Sequence, residues 1–311
     1  QSSYPHDFAD VNGTLYFTAY NNALGRELWK SDGTTNGTVL VKEIINGTVG
    51  GFQTASTYDY YDYNFNIVWR TGSTFYFTAN SYASVPNGTT PTNNIELWKS
   101  DGTSGGTVMV KDIYSGNQSS YPTNFTEVNG ELYFTAYTNA LGRELWKTDG
   151  SNGGTVLVKE IINGTVGGFQ TASTYDYYDY NFNVVWRTGN TFYFTANSYA
   201  SVRNGTAPTN NIELWKSDGT SGGTVMVKDI YAGNASSYPS DFHDASGTLY
   251  FTAYTNALGR ELWKTDGTTG GTMLVKEIIN GTVGGFQTAS TYDYYDYPFN
   301  IVFNIGSSFY F

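Results

Sequence analysis

The residues of this sequence that could do chemistry come in sets. The segment GGFQTASTYDYYDY occurs at 50–63, 167–180 and 284–297. It gathers Tyr58, Asp59, Tyr60, Tyr61, Asp62 and Tyr63 in the first copy. Tyr175, Asp176, Tyr177, Tyr178, Asp179 and Tyr180 make the second, and Tyr292, Asp293, Tyr294, Tyr295, Asp296 and Tyr297 the third. Tyrosine is rigid and amphipathic and gives contact area at low entropic cost. Its rings stack on the apolar face of a pyranose, and neighbouring carboxylates accept sugar hydroxyls. The segment therefore suits contact with a glycan or another protein. The plainer alternative is that these tyrosines pack under a loop and start a strand. Asp59 and Asp62, with Asn64, offer oxygen ligands to Ca2+, at a spacing that matches no standard calcium loop. No other cofactor or metal site is expected.

An enzyme would need a constellation that stands apart from the repeats. The two histidines, His6 and His243, are too few for a histidine metal cluster, and neither has the third partner of a triad. All the arginines except Arg203 recur in repeat-related places, namely Arg26, Arg70, Arg143, Arg187 and Arg260. The chain has no cysteine, hence no disulfide framework and no thiolate zinc site. The expectation from these residues is that there is no catalytic residue and no enzymatic activity.

Five aspartates, Asp32, Asp101, Asp149, Asp218 and Asp266, open an Asp-Gly turn after the tetrapeptide ELWK. They are expected to accept backbone N–H bonds within their own turns. The tryptophans of that tetrapeptide, Trp29, Trp98, Trp146, Trp215 and Trp263, are expected to pack between sheets. Arg26 and Glu27 fall on opposite faces of a strand, and their recurrence as Arg143–Glu144 and Arg260–Glu261 suggests pairing with other strands. Ten N-x-S/T sequons are present, of which Asn46, Asn87, Asn163, Asn204 and Asn280 are the best glycosylation candidates, lying in expected exposed connections.

These sets are positioned by an internal repeat. ELWK begins at Glu27, Glu96, Glu144, Glu213 and Glu261, at spacings of 69, 48, 69 and 48. The unit is a double repeat of 117 residues (1–117, 118–234 and a shorter 235–311), read as a single domain over 1–311. Each half-unit holds four short runs rich in Val, Ile, Tyr, Phe, Trp and Thr, broken by turn residues. In the first these lie near Phe8–Val11, Thr14–Tyr20, Glu27–Lys30 and Thr38–Ile44, with Asn12-Gly13 as a hairpin turn. Leu15, Phe17 and Ala19 alternate with Tyr16 and Thr18. In the long half-unit Tyr61, Tyr63, Phe65, Ile67 and Trp69 alternate in the same way. Four antiparallel strands repeated at this spacing describe the blades of a β-propeller, in which each sheet covers its neighbour. The fold class is all-β: five full blades near 8–45, 58–114, 125–162, 175–231 and 242–279. A half blade follows, near Phe299–Asn304 and Ser308–Phe311, which leaves a six-bladed ring open as a reading.

The segments ELWKSDGTTNGT (27–38), ELWKSDGTSGGT (96–107 and 213–224), ELWKTDGSNGGT (144–155) and ELWKTDGTTGGT (261–272) resemble the ELWxxDGT repeat family. So do their LYFTA-like and VLVKDI-like flanks. Ser151, followed by Asn152, departs from the DGT tripeptide in one copy. The resemblance implies a β-propeller of bacterial secreted or surface proteins and little about activity.

The net charge of −11 disfavours nucleic acid and anionic membranes as partners. No apolar run is long enough for a transmembrane helix, so no membrane insertion is expected. The expected function is a non-catalytic extracellular module, structural or adhesive, in a cell-surface or filamentous assembly. Its partners would be further copies or other surface proteins, with glycans as a further possibility. The alternative is a lectin-like multivalent propeller. Localisation is expected to be extracellular or at the cell surface.

Overall fold

The computed structural model describes residues 2–47, 50–52, 65–84, 92–165, 167–169, 182–201, 209–282, 284–286, 303–305 and 308–310. The first sheet runs β1 (His6–Val11), β2 (Thr14–Asn21), β3 (Gly25–Ser31) and β4 (Val39–Lys42). The second runs β5 (Trp69–Thr71), β6 (Thr74–Ser84), β7 (Thr92–Ser100) and β8 (Val108–Lys111). The third holds β9 (Thr123–Val128), β10 (Glu131–Thr138), β11 (Gly142–Thr148) and β12 (Val156–Lys159). The fourth holds β13 (Trp186–Thr188), β14 (Thr191–Ser201), β15 (Thr209–Ser217) and β16 (Val225–Lys228). The fifth holds β17 (Ser240–Ala245), β18 (Thr248–Thr255), β19 (Gly259–Thr265) and β20 (Met273–Lys276). A two-stranded sheet, β21 (Phe303–Ile305) with β22 (Ser308–Tyr310), follows. Each four-stranded sheet is an antiparallel meander in chain order, and no helix occurs among the described residues. The protein is all-β and its sheets are the blades of a β-propeller.

The turns explain the meander. Asn12 and Gly13 have φ of 52° and 83°, as do Asn129 and Gly130 at 54° and 82°. Two successive left-handed residues make the tight turn whose twist matches its flanking strands. The run expected from Thr38 to Ile44 is shorter, Val39–Lys42, because the chain bends away after Lys42. In the second sheet the first strand begins only at Trp69. Residues 65–68 approach it outside regular pairing, although Val68 N donates to Tyr76 O at 2.8 Å. Tyr61 and Tyr63 of the expected alternation lie outside the described residues.

Packing divides the chain into two compact units: Gln1–Ala140 with Trp146–Val156, and Leu141–Leu145 with Leu157–Phe311. Within the first unit, Val11, Tyr16, Leu28 and Val41 of the first sheet pack on Phe75, Phe77, Ala79 and Trp98 of the second, with Phe52 and Phe65 among them. Rings meet at short range, Tyr16 and Phe75 at 4.6 Å between centroids. Within the second unit, Tyr193, Leu214, Val227 and Ile230 of the fourth sheet pack on Leu249, Phe251, Ala253 and Trp263 of the fifth, with Ile230 just beyond β16. Burial on both faces of a strand follows from this stacking: in β2, Tyr16, Phe17, Thr18 and Ala19 are all buried. An alternation that reads as inside and outside is one neighbouring sheet and the other.

Candidate functional site

The Asp-Gly turn is a closed hydrogen-bond set. Asp101 Oδ1 accepts from Thr103 N at 2.9 Å and Thr103 Oγ1 at 2.7 Å. Thr103 Oγ1 accepts from Gly106 N at 2.9 Å, and Thr107 Oγ1 donates to Thr103 O at 2.7 Å. Ser100 Oγ, against Thr107 Oγ1 at 2.7 Å, accepts from Gly102 N at 3.0 Å. A Cβ on Gly106 would lie 2.0 Å from Asp101 Oδ1, so that position excludes a side chain. Asp32, Asp149, Asp218 and Asp266 accept in the same way. Ser151 serves where the other copies have Thr: its amide donates to Asp149 Oδ1 at 2.8 Å and its Oγ accepts from Gly154 N at 2.9 Å. These bonds to the ionised form hold the Asp32, Asp101, Asp149 and Asp266 carboxyls below the usual range.

The turn is also where neighbouring sheets are fastened. Lys30 Nζ donates to Gly102 O at 2.8 Å, Lys99 Nζ to Gly150 O at 2.9 Å and Lys216 Nζ to Gly267 O at 2.9 Å. The lysine ending the fourth strand adds a second bond: Lys42 to Ser104 O, Lys111 to Thr155 O, Lys159 to Ser221 O and Lys228 to Thr272 O, at 2.7 to 3.3 Å. Tyr16, Tyr76 and Tyr193 point their hydroxyls at Gly102, Gly150 and Gly267, where a Cβ would sit 2.0 to 2.1 Å away. Burial, then the Asp101 charge, pushes the Tyr16 phenol up, and burial with Asp266 does the same to Tyr193. The ELWK and DGT residues thus have a fastening task.

The Arg–Glu pair holds the connections between sheets. Glu96, fully buried, accepts from the amides of Ile113, Tyr114 and Ser120 and from Ser120 Oγ at 2.5 Å. Glu213 repeats the arrangement with Ile230, Tyr231 and Ser237. Glu27 and Glu144 accept from Ile45 N and Ile162 N, but their connections carry Gly51 and Gly168 in place of the serine, and each Oε2 has no partner. Burial raises these carboxyls, against the pull of their backbone donors. Glu96 and Glu213 rise to about 7, and Glu27 and Glu144 to about 8. A raised glutamate is the type of group that serves as a general acid, but these four are sealed from solvent and hold backbone.

Arg26 Nη1 donates to Tyr4 O at 2.8 Å, and Arg260 Nη1 to Tyr238 O at 2.9 Å. Both arginines are buried. The tyrosines are not: Tyr4 is 66% exposed, Tyr121 44% and Tyr238 47%. Their φ angles are 40°, 44° and 44°, in the left-handed region that a bulky residue avoids. Each also precedes a proline, which further disfavours helical backbone. Strain of this kind persists only where the surroundings over-determine it. Here the buried guanidinium holds the carbonyl, and the amides of Tyr121 and Tyr238 donate to Ile95 O and Ile212 O, each at 3.3 Å. Sequence reasoning passed over these three tyrosines. The repeated Ser-Ser-Tyr-Pro was the available signal.

Carboxylates are almost wholly committed. Six of the 27 acids lie in the Tyr/Asp segments, whose residues 58–63, 175–180 and 292–297 are outside the described ones. Every other Asp and Glu accepts at least one hydrogen bond inside the fold. Beyond those already named, Asp7 takes Phe65 N, Glu127 takes Trp69 Nε1, Glu131 takes Lys147 Nζ and Asp241 takes Thr252 Oγ1. Asp10, Asp244, Asp112, Asp229, Glu43, Glu160 and Glu277 each cap a glycine amide, and Glu261 takes Ile279 N. His6 Nδ1 lies 2.7 Å from Asp7 Oδ2. No group of three or more His, Cys, Asp or Glu that could hold a metal is found among the described residues. The calcium candidates Asp59, Asp62 and Asn64 lie outside them. Asn46, Asn163 and Asn280 are exposed, while Asn87 and Asn204 are outside the described residues. No helix of the described residues is long and apolar enough to cross a membrane.

No protein-family model matches the chain, and no curated protein does. Solved structures do match. One is a variant of the GH43 protein BlXynB from Bacillus licheniformis, at 14% identity and TM-score 0.29, over 91% of this chain and 57% of that one. Another is the α-L-arabinofuranosidase CtGH43 from Clostridium thermocellum, at 14% identity and TM-score 0.26, over 86% and 92%. A third is an ulvan lyase of family PL25, at 9% identity and TM-score 0.36, over 88% and 71%. This chain spans 39% of the length of another match, the isopeptidase AtxE2, and 57% of that of the GH43 protein. Likeness at this level concerns the fold. The expectations of a non-catalytic structural or adhesive module, of its lectin-like alternative and of no enzymatic activity are corrected at this point. The matching chains named here are glycoside hydrolases, a polysaccharide lyase and an isopeptidase. The residue argument against catalysis rested on symmetry, and symmetric copies do not prevent one copy from working.

Proposed function

We propose that this propeller is a carbohydrate-active protein that binds a neutral polysaccharide and cleaves it. The observation that carries the reading is the set of exposed tyrosines Tyr4, Tyr121 and Tyr238, set in strained backbone, with buried arginines bonded to the carbonyls of Tyr4 and Tyr238. A rigid, exposed aromatic ring is a platform for a sugar face, and strain retained at equivalent positions points to use. Tyr121 and Tyr238 lie where the chain passes from one sheet to the first strand of the next, and Tyr4 stands at the equivalent place before β1. The Tyr/Asp segments belong to the same kind of connection, between the anchors Phe52 and Phe65 and between Phe169 and Phe182, all four buried. Glycosidic cleavage needs two carboxyl groups, one to protonate the leaving oxygen and one to act as base or nucleophile. With the remaining acids bonded within the fold, the pairs Asp59–Asp62, Asp176–Asp179 and Asp293–Asp296 are the carboxyls left for that work. The net charge of −11 favours a neutral polymer over an anionic one. The exposed sequons at Asn46, Asn163 and Asn280 and the resemblance to the ELWxxDGT repeats support a secreted or surface location.

The test is release of new reducing ends from arabinan, xylan, xyloglucan and ulvan. Release is expected from a neutral polymer. Tyr121→Ala with Tyr238→Ala should raise KM about tenfold, the loss of about 1.4 kcal/mol of stacking. Replacing all six segment aspartates by Asn should abolish release while the chain stays folded. No release from any of the polymers overturns the reading.

A further inference from the structure

Beyond β8 the chain turns through residues 112–116, and two side chains close on one residue of that turn. Gly116 N donates to Asp112 Oδ2 at 3.1 Å, and Asn94 Nδ2, from β7, donates to Gly116 O at 2.6 Å. The second oxygen of each group is left over. Asp112 Oδ1 and Asn94 Oδ1 are both buried, and neither has a hydrogen-bond partner. Asn94 is only 5% exposed, and turning its amide over would set two acceptors face to face at Gly116 O. No lysine or arginine pairs with Asp112 among the described residues; the adjacent Lys111 gives its Nζ to Thr155 O at 2.9 Å.

The strands bring these two side chains together. Leu97 of β7 pairs with Lys111 of β8. In that register Asp112 comes next, opposite Glu96, and Asn94 lies two residues further along β7 on the same side of the sheet. Residues on such a diagonal stand about 7–8 Å apart, within reach of each other's side chains. The second unit repeats the set. Asn211 is 4% exposed with its Oδ1 unpartnered, its Nδ2 donates to Gly233 O at 2.6 Å, and Gly233 N donates to Asp229 Oδ2 at 3.1 Å. The short half-units have the same turn without the asparagine. There Gly164 N donates to Glu160 Oε1 at 3.2 Å, and Gly142 stands where the long half-units carry Asn94 and Asn211.

We propose that Asp112 and Asn94 form a binding site for a hard divalent cation of the calcium class, with Asp229 and Asn211 as its second copy. Buried acceptors need a partner, and a buried carboxylate needs one that brings positive charge. A water donating to both oxygens leaves that charge uncompensated. The donors are all oxygens. Ca2+ accepts irregular mixtures of carboxylate, amide and water ligands, whereas Mg2+ demands a near-octahedral shell. The exposed residues 115–118 admit water to complete the coordination. One carboxylate per site puts the affinity in the weak range, about 0.1–1 mM. The ion clamps the end of β8 to β7 beyond their last backbone pair. The site stands apart from the sugar-binding reading, and either can fail without the other.

The experiment titrates Ca2+ into the full 311-residue chain and follows amide NMR signals residue by residue. The backbone amides of Gly116 and Gly233 and the side-chain amides of Asn94 and Asn211 should shift and saturate with a Kd of about 0.1–1 mM. The Gly164 amide, in the turn without the asparagine, should stay in place, and Mg2+ should leave all of them unmoved. Asp112→Asn keeps an acceptor for Gly116 N but removes the charge. It should weaken the response of Gly116 and Asn94 at least about tenfold and leave that of Gly233 and Asn211 intact. Asp229→Asn should do the reverse. In about 10 mM Ca2+ the unaltered chain should gain about 2–4 °C in Tm, and the double variant should gain less. No shift at Gly116 and Gly233 in about 10 mM Ca2+ makes the leftover oxygens water sites and overturns the proposal. So does a shift that survives Asp112→Asn, an equal response at Gly164, or an equal response to Mg2+.

Discussion

At the scale of single residues, the two kinds of connection make an internal comparison. Glu213 and Glu144 stand at equivalent places, but Ser237 bonds Glu213 Oε2 while Gly168 leaves Glu144 Oε2 without a partner. The carboxyl values follow, about 7 against about 8. Ser237→Ala should therefore move Glu213 upward toward the Glu144 value, read by the carboxyl carbon shift in a pH titration. It should also destabilise by about 1–3 kcal/mol, the cost of leaving a buried acceptor unmade. The reverse change is closed: a Cβ on Gly168 would lie 2.6 Å from Ile161 Cβ, so the serine cannot be borrowed by the glycine connection. An unchanged Glu213 titration would show that the hydroxyl does not hold that carboxylate.

At the scale of elements, what makes a sheet depend on its neighbours is the fit of the connecting chain. Phe169 N donates to Arg143 O at 3.2 Å, and Asn197 N to Gly168 O at 2.7 Å, so the Gly-Gly-Phe connection is bonded to one strand on each side. Gly167 lies so close that a Cβ would fall 2.1 Å from Arg143 O, a backbone atom that cannot turn aside. Gly167→Ala should cost more than about 3 kcal/mol, since the strand or the connection must shift. Gly153→Ala, in open space, should change thermal stability by less than about 0.5 kcal/mol. Equal effects of the two on Tm would refute the close-approach account. Here the sequence was legible in part. Strand number, order and turns could be read from the repeat, because alternation and Asn-Gly pairs are local signals. The first strands of the long half-units came out shorter than read, because alternation across Phe65, Ile67 and Trp69 reports packing on a neighbouring sheet as well as strand pairing. The glutamate–connection bonds and the strained tyrosines were not legible. Glu96 and Ser120 are 24 residues apart, and nothing local in either marks the other.

At the scale of the whole molecule, repetition multiplies a small effect into a measurable one. Four buried glutamates, Glu27, Glu96, Glu144 and Glu213, have folded values of about 7 to 8 against an ordinary 4.5. A carboxyl raised on folding favours the folded state while it holds its proton. Its stabilising contribution is therefore complete below about pH 4.5 and is lost as pH rises through 7 to 8. The turn aspartates act with the opposite sign, since their lowered values withdraw stability only as pH falls below the ordinary 3.8. They are exposed, and their share is small. The net expectation is a Tm that is highest near about pH 5 and declines steadily to about pH 9. General self-repulsion of a chain carrying −11 would push in the same direction. Salt separates the two, because added salt screens surface charge and leaves buried groups nearly untouched. The decline should persist in about 0.5 M salt, where the Debye length is only a few ångströms. Glu27→Gln, which keeps an acceptor for Ile45 N without a titrating proton, should reduce it by about a quarter, one of four such groups. A decline that salt abolishes would assign the effect to the surface and remove the buried glutamates as its source.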